Sequence, residues 1–121
     1  MKKLLLVLFL LPCLMACSQQ EKEFTVLQWN IWQEGSVIPG GYDAIVNEIA
    51  RLHPDFVTLS EVRNYENTNF TARLVQSLKE KGETYYSFYT YDTGLLSRYP
   101  ITDSLTVFPE NNDHGSIYRL T

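Results

Sequence analysis

The chain has 121 residues, 45% of them hydrophobic and 13% aromatic, and a formal net charge of −4. That length supports one small domain, and the acidic balance argues against tight, non-specific binding to a nucleic-acid duplex. The aromatic content favours strands, and the sequence carries no repeat and no low-complexity tract.

At the N-terminus, Lys2 and Lys3 precede the apolar run Leu4 to Leu11, the pattern of a secretory signal rather than of a fold element. The run is short for a bilayer span. Leu14-Met15-Ala16-Cys17 is similar to the bacterial lipobox, in which the cysteine is lipidated and becomes the new N-terminus. Residues 1–16 are therefore expected to leave as a lipoprotein signal peptide, with Cys17 as the lipid anchor and residues 17–23 as a polar tether. Cys13 departs with the signal, so the mature chain keeps no thiol for a disulfide or zinc site. Removing Lys2 and Lys3 deepens the net charge from −4 to −6 and leaves 105 of 121 residues.

Phe24 to Trp32 alternates as a first strand, and Gln33-Glu34-Gly35 through Pro39-Gly40-Gly41 is loop by its glycine and proline content. Tyr42, Ile45, Val46, Ile49 and Leu52 then form the apolar face of a helix that Pro54 ends. His53, at that helix C-terminus, favours the helix dipole. Phe56 to Leu59 reads as a buried strand, and Arg63 to Asn67 as a polar loop. Phe70, Leu74, Val75 and Leu78 mark a second helix, with Asn67, Thr68 or Asn69 as its cap and Gly82 at its end. Sheet follows: Thr84 to Tyr91, a turn at Asp92-Thr93-Gly94, Leu95 to Arg98, and Ile101 to Phe108. Pro109 to Asp113 turns the chain, Asp113-His114 belonging to that turn, and Ser116 to Thr121 is a final strand.

Two strand ends stand out, because each places one polar residue after an apolar run. A desolvated amide or carboxylate needs a partner, so Asn30 and Glu61 point to a ligand, with a metal or a phosphate as the candidates.

Three blocks in this order resemble the endonuclease/exonuclease/phosphatase superfamily, whose members include DNase I-like nucleases, inositol polyphosphate 5-phosphatases and neutral sphingomyelinases. Trp29-Asn30-Ile31 is similar to its first-strand block. Pro54-Asp55-Phe56-Val57-Thr58-Leu59-Ser60-Glu61-Val62 is similar to its P-D-(apolar)2-x-L-Q-E-V block, and Gly94-Leu95-Leu96-Ser97-Arg98-Tyr99-Pro100-Ile101 to its L-S-R-(aromatic)-P-I block.

The resemblance implies an α/β fold, a four-layered DNase I-like sandwich of about 250 residues, of which residues 24–121 are the N-terminal half of a truncated domain. It implies a metal-dependent phosphoesterase acting on phosphodiester or phosphomonoester bonds. Glu61 and Asn30 are then the metal and catalytic residues, and Mg²⁺, with Mn²⁺ as an alternative, is the cofactor, since Mg²⁺ prefers oxygen ligands and keeps several waters. The family's downstream histidine, Asp-x-Asn segment and closing Ser-Asp-His are missing, which makes the fragment catalytically incomplete. Trp32 stands where several nuclease members carry a second acidic ligand, and Ser97 and Arg98 are signature rather than chemistry.

The expected partners are a phosphorylated substrate (a small molecule, lipid headgroup or nucleic acid) and a membrane, reached through Cys17. A monomer is expected in the bacterial cell envelope, with the outer membrane favoured. The competing expectation is a non-catalytic envelope lipoprotein that binds a partner or glycan.

Overall fold

A computed structural model describes residues 21–107 and 115–121; the signal segment, Cys17 and the Pro109–His114 turn lie outside the described residues. The chain runs β1 (Val26–Asn30), α1 (Gly41–Leu52), β2 (Phe56–Ser60), α2 (Phe70–Glu80), β3 (Tyr86–Thr90), β4 (Thr93–Ser97), β5 (Ile101–Val107) and β6 (Gly115–Leu120). The first four strands form a mixed sheet in the order β1-β2-β4-β3, with β1 and β2 parallel; β5 and β6 pair as a separate antiparallel hairpin.

Both helices lie against the sheet because each carries one apolar stripe. Ile45, Val46 and Ile49 of α1 and Phe70, Leu74 and Leu78 of α2 are buried with Val57, Leu59 and Leu96 of the sheet. The helices meet at Tyr42 and Phe70, whose rings are 5.9 Å apart in an edge-to-face arrangement. Asn69 caps α2 by accepting the Ala72 N–H at 3.0 Å, the last of the three expected cap positions.

Three expectations shift. The first strand is shorter at both ends than Phe24 to Trp32. Thr25 is held by the Asp55 carboxylate, which accepts its N–H at 2.8 Å, and Trp32 enters a left-handed turn with φ 43°. The hairpin turn is Tyr91-Asp92, and Thr93 and Gly94 belong to β4, paired with Thr90 and Tyr89. Gly94 is a strand residue for a packing reason: a Cβ there would sit 2.7 Å from Thr71 Cγ2 of α2. Finally, the polar loop after Glu61 contains a 3-10 turn at Tyr65–Asn67.

Candidate functional site

The parallel register of β1 and β2 sets Asn30 opposite Ser60, so both strands end at one level and Glu61 follows immediately. Ligands in α/β folds collect at such carboxyl ends of parallel strands. Glu61 takes φ 64°, a left-handed conformation that bulky L-residues adopt reluctantly. Its carboxylate accepts the Asn30 Nδ2–H at 2.9 Å through Oε1 and the Gln33 backbone N–H at 2.9 Å through Oε2. Asn30 Oδ1 in turn accepts the Trp32 N–H at 2.9 Å, so donors and acceptors on both sides fix the orientation of the amide.

A second carboxylate, absent from the sequence-level candidates, completes the arrangement. Glu34 is only 5% exposed, yet it comes from a glycine-rich loop. Its Oε1 accepts the backbone N–H groups of Arg63 at 2.8 Å and Asn64 at 2.6 Å. The loops after β1 and β2 therefore exchange carboxylates, Glu34 reaching into the second and Glu61 into the first. Tyr65 adds a third tie by donating its hydroxyl to Gln33 Oε1 at 2.8 Å. The only local signal for Glu34 was a carboxylate directly before Gly35, a pattern also typical of a solvated turn.

The loops are strained to achieve this. Trp32, Gln33, Glu34 and Gly35 all have positive φ, and the Gly35 N–H donates to Ile31 O at 2.7 Å, closing one left-handed turn. Such conformations cost roughly 1–3 kcal/mol per non-glycine residue and cluster where surrounding structure or function requires them. Among the described residues, every non-glycine positive φ except those of His53 and Tyr91 falls in these two loops.

The electrostatics of Glu61 are those of an unneutralised carboxylate. Its hydrogen-bond donors are an amide and a peptide N–H, both neutral. The nearest basic residue in sequence, Arg63, instead points to Asp92, at 3.2 Å. Each Glu61 oxygen retains acceptor capacity after one hydrogen bond. Among the described residues no three His, Cys, Asp or Glu side chains converge on a common ion position. A donor set of one carboxylate and one amide oxygen suits a hard cation that keeps most of its waters, as Mg²⁺ does, better than a zinc-type cage.

Ser97 and Arg98 lie at the other end of the sheet, because β4 runs antiparallel to β2 and pairs Ser97 with Phe56. Ser97 Oγ is buried, accepting the Tyr99 N–H at 2.9 Å and donating to Tyr99 O at 2.8 Å. Arg98 donates to Glu83 Oε2 at 2.5 Å and to Pro54 O at 3.2 Å. His53 is the C-cap of α1, and its Nδ1 lies 2.6 Å from Glu83 Oε1, a partner that the helix dipole alone did not indicate. The Arg98 hydrogen bond holds the Glu83 carboxyl below the usual range. Burial pushes the Tyr85 hydroxyl up to about 12, and that hydroxyl donates to Pro54 O at 2.7 Å.

Helices on a mixed sheet, with an amide and a carboxylate joined at the ends of two parallel strands, fit a DNase I-like α/β fold. The family model described as Endonuclease/Exonuclease/phosphatase family matches residues 27–121, and the chain belongs to that family. No curated relative and no solved structure matches it.

Proposed function

We propose that this chain carries the metal-binding half of a Mg²⁺-dependent phosphoesterase, and that Glu61 is the protein ligand of the ion. The observation that carries this is the Asn30–Glu61 hydrogen bond, 2.9 Å across two parallel strand ends, with no cation neutralising the carboxylate among the described residues. Asn30 aligns Glu61 by donating to its Oε1 at 2.9 Å. The same amide retains an oxygen lone pair for the ion or its water. The bound ion would stabilise negative charge on a phosphoryl oxygen. Gln33 N–H, on the strained turn, fixes the second carboxylate oxygen by donating to Oε2 at 2.9 Å.

Export and a lipid anchor at Cys17 belong to the same proposal. They are supported by Lys2 and Lys3, the apolar run Leu4 to Leu11, and the Leu14-Met15-Ala16-Cys17 sequence. A second reading, a non-catalytic envelope lipoprotein, draws on Trp32 standing where an acidic ligand would add a second carboxylate.

The test is Mn²⁺ binding by electron paramagnetic resonance on the full chain, paired with Mg²⁺-dependent cleavage of bis(p-nitrophenyl) phosphate by the complete gene product. Glu61→Gln is expected to lose ion binding and to lower turnover by ~10²-fold or more, because a catalytic metal supplies several kcal/mol of charge stabilisation. Unchanged Mn²⁺ binding in Glu61→Gln overturns the site assignment. Normal binding without cleavage by the complete gene product selects the non-catalytic reading.

A further inference from the structure

The loop between β1 and α1 exposes large apolar side chains beside the Asn30–Glu61 pair: Trp32 is 57% exposed, Ile38 52% and Val37 42%. Together with Ile31 and Ile45 they border an apolar cleft of about 200 Å³ that has Asn30 on its wall. A flexible loop would fold such side chains inward. This one is prevented from doing so by its own backbone.

The left-handed turn at Trp32–Gly35 is followed by hydrogen bonds from Ser36 N–H to Gln33 O at 3.1 Å and from Gly41 N–H to Ile38 O at 3.1 Å. Gly35 and Gly41 then press backbone to backbone, so closely that a Cβ on Gly41 would lie 2.1 Å from Gly35 O. The apolar crest is thus held outward in a fixed shape. From Gly35 to Gly41 it carries no charged residue, although charged residues make up 20% of the chain. The nearest charge in the loop, Glu34, is buried on peptide N–H groups.

We infer that the Trp32–Gly41 loop is an interfacial crest that enters a zwitterionic phospholipid surface. Tryptophan and branched apolar residues next to polar groups suit the boundary between headgroups and acyl chains. A rigid, uncharged crest on a chain of net charge −4 is matched to a neutral surface rather than an anionic one.

The anchor proposed at Cys17 is compatible with this. Residues 17–23 would reach at most about 25 Å from it, whereas β1 carries its far end only about 13 Å from its start. With that anchor the crest would be able to touch the same membrane.

The experiment reconstitutes the full chain on vesicles of phosphatidylcholine brominated on the upper acyl chain and reads tryptophan quenching. Trp29→Phe leaves Trp32 as the reporter, and Trp32→Phe leaves the half-buried Trp29 as the control. Trp32 is expected to be quenched roughly twofold or more beyond Trp29, the depth an interfacial side chain reaches. The double variant Val37→Asp, Ile38→Asp should abolish that excess while Mn²⁺ binding persists.

Equal quenching of the two tryptophans overturns the inference, as does quenching confined to phosphatidylglycerol vesicles. So does a concentration-dependent dimer that buries Trp32 in place of lipid. Because the readout needs no turnover, its failure leaves the Glu61 assignment standing. Loss of Mn²⁺ binding by the unmodified chain would instead sink that assignment alone.

Discussion

The two ends of strands β2 and β4 handle carboxylates in opposite ways. At one end Glu83 is neutralised: Arg98 donates to it at 2.5 Å, His53 Nδ1 lies 2.6 Å away, and the carboxylate is only 8% exposed. At the other, Glu61 is held by an amide and a peptide N–H that orient it without cancelling its charge. A carboxylate paired with a cation has its electrostatic demand met, and serves the fold. One fixed only by neutral donors keeps that demand, and is available to an ion. Ser97 and Arg98, conspicuous in the sequence, therefore belong to architecture, whereas Glu61 keeps the unneutralised charge on which the proposed ion site rests.

The contrast can be broken first at the neutralised end. Arg98→Met strips Glu83 of its main cation, and removing one partner of a largely buried ion pair costs about 3–5 kcal/mol. Urea denaturation is expected to show a loss at the low end of that range, since the Arg98 side chain is 29% exposed. Mn²⁺ affinity of the folded fraction should be unchanged, and an altered affinity would mean that the two ends are coupled.

Glu34→Ala should have the next largest effect. It leaves the N–H groups of Arg63 and Asn64 without their acceptor, and hydrogen bonds to charged groups contribute about 1.5–3 kcal/mol each before water replaces them. A loss of about 2–3 kcal/mol in urea, accompanied by weaker Mn²⁺ binding, is expected. Glu34→Gln, which keeps an acceptor oxygen, should recover much of both. Full stability in Glu34→Ala would show that the exchange of carboxylates between loops is incidental.

The smallest effect is that of acid. Arg98 lowers the pKa of Glu83, and the Thr25 backbone N–H lowers that of Asp55. A depressed carboxyl adds stability that is fully present above its ordinary pKa, near 4, and is lost as pH falls through the lowered value. Urea midpoints should therefore hold steady down to about pH 4–5 and fall below it. Glu83→Gln should flatten that fall, and an unflattened profile would assign it to other groups.

Much of the layout was legible in the sequence because it depends on local periodicity. Phe70, Leu74 and Leu78 announced one face of α2, and the runs Phe24 to Trp32 and Phe56 to Leu59 announced two strands, which the structure pairs in parallel. What escaped depends on partners distant in the chain. Glu34 reads as a solvated loop residue until Arg63 and Asn64, about thirty positions on, supply buried N–H groups. The left-handed run Trp32-Gln33-Glu34 has no local signature, since such residues avoid that conformation. Gly94 looked like turn chemistry and proved to be clearance for Thr71. Arg98 could be placed on a strand end, but not at which pole, because pole depends on the antiparallel pairing of β4 with β2.

The exchange of carboxylates between the two loops also bears on when the site comes into being. Glu34 and Glu61 each close a contact across about thirty residues, and neither loop satisfies its own carboxylate. Both contacts require β1 and β2 already aligned, so the Asn30–Glu61 geometry arises only after their non-local pairing is complete. Partial opening of either loop releases the other. The amides of Gln33, Arg63 and Asn64 should accordingly exchange with solvent as one cooperative unit.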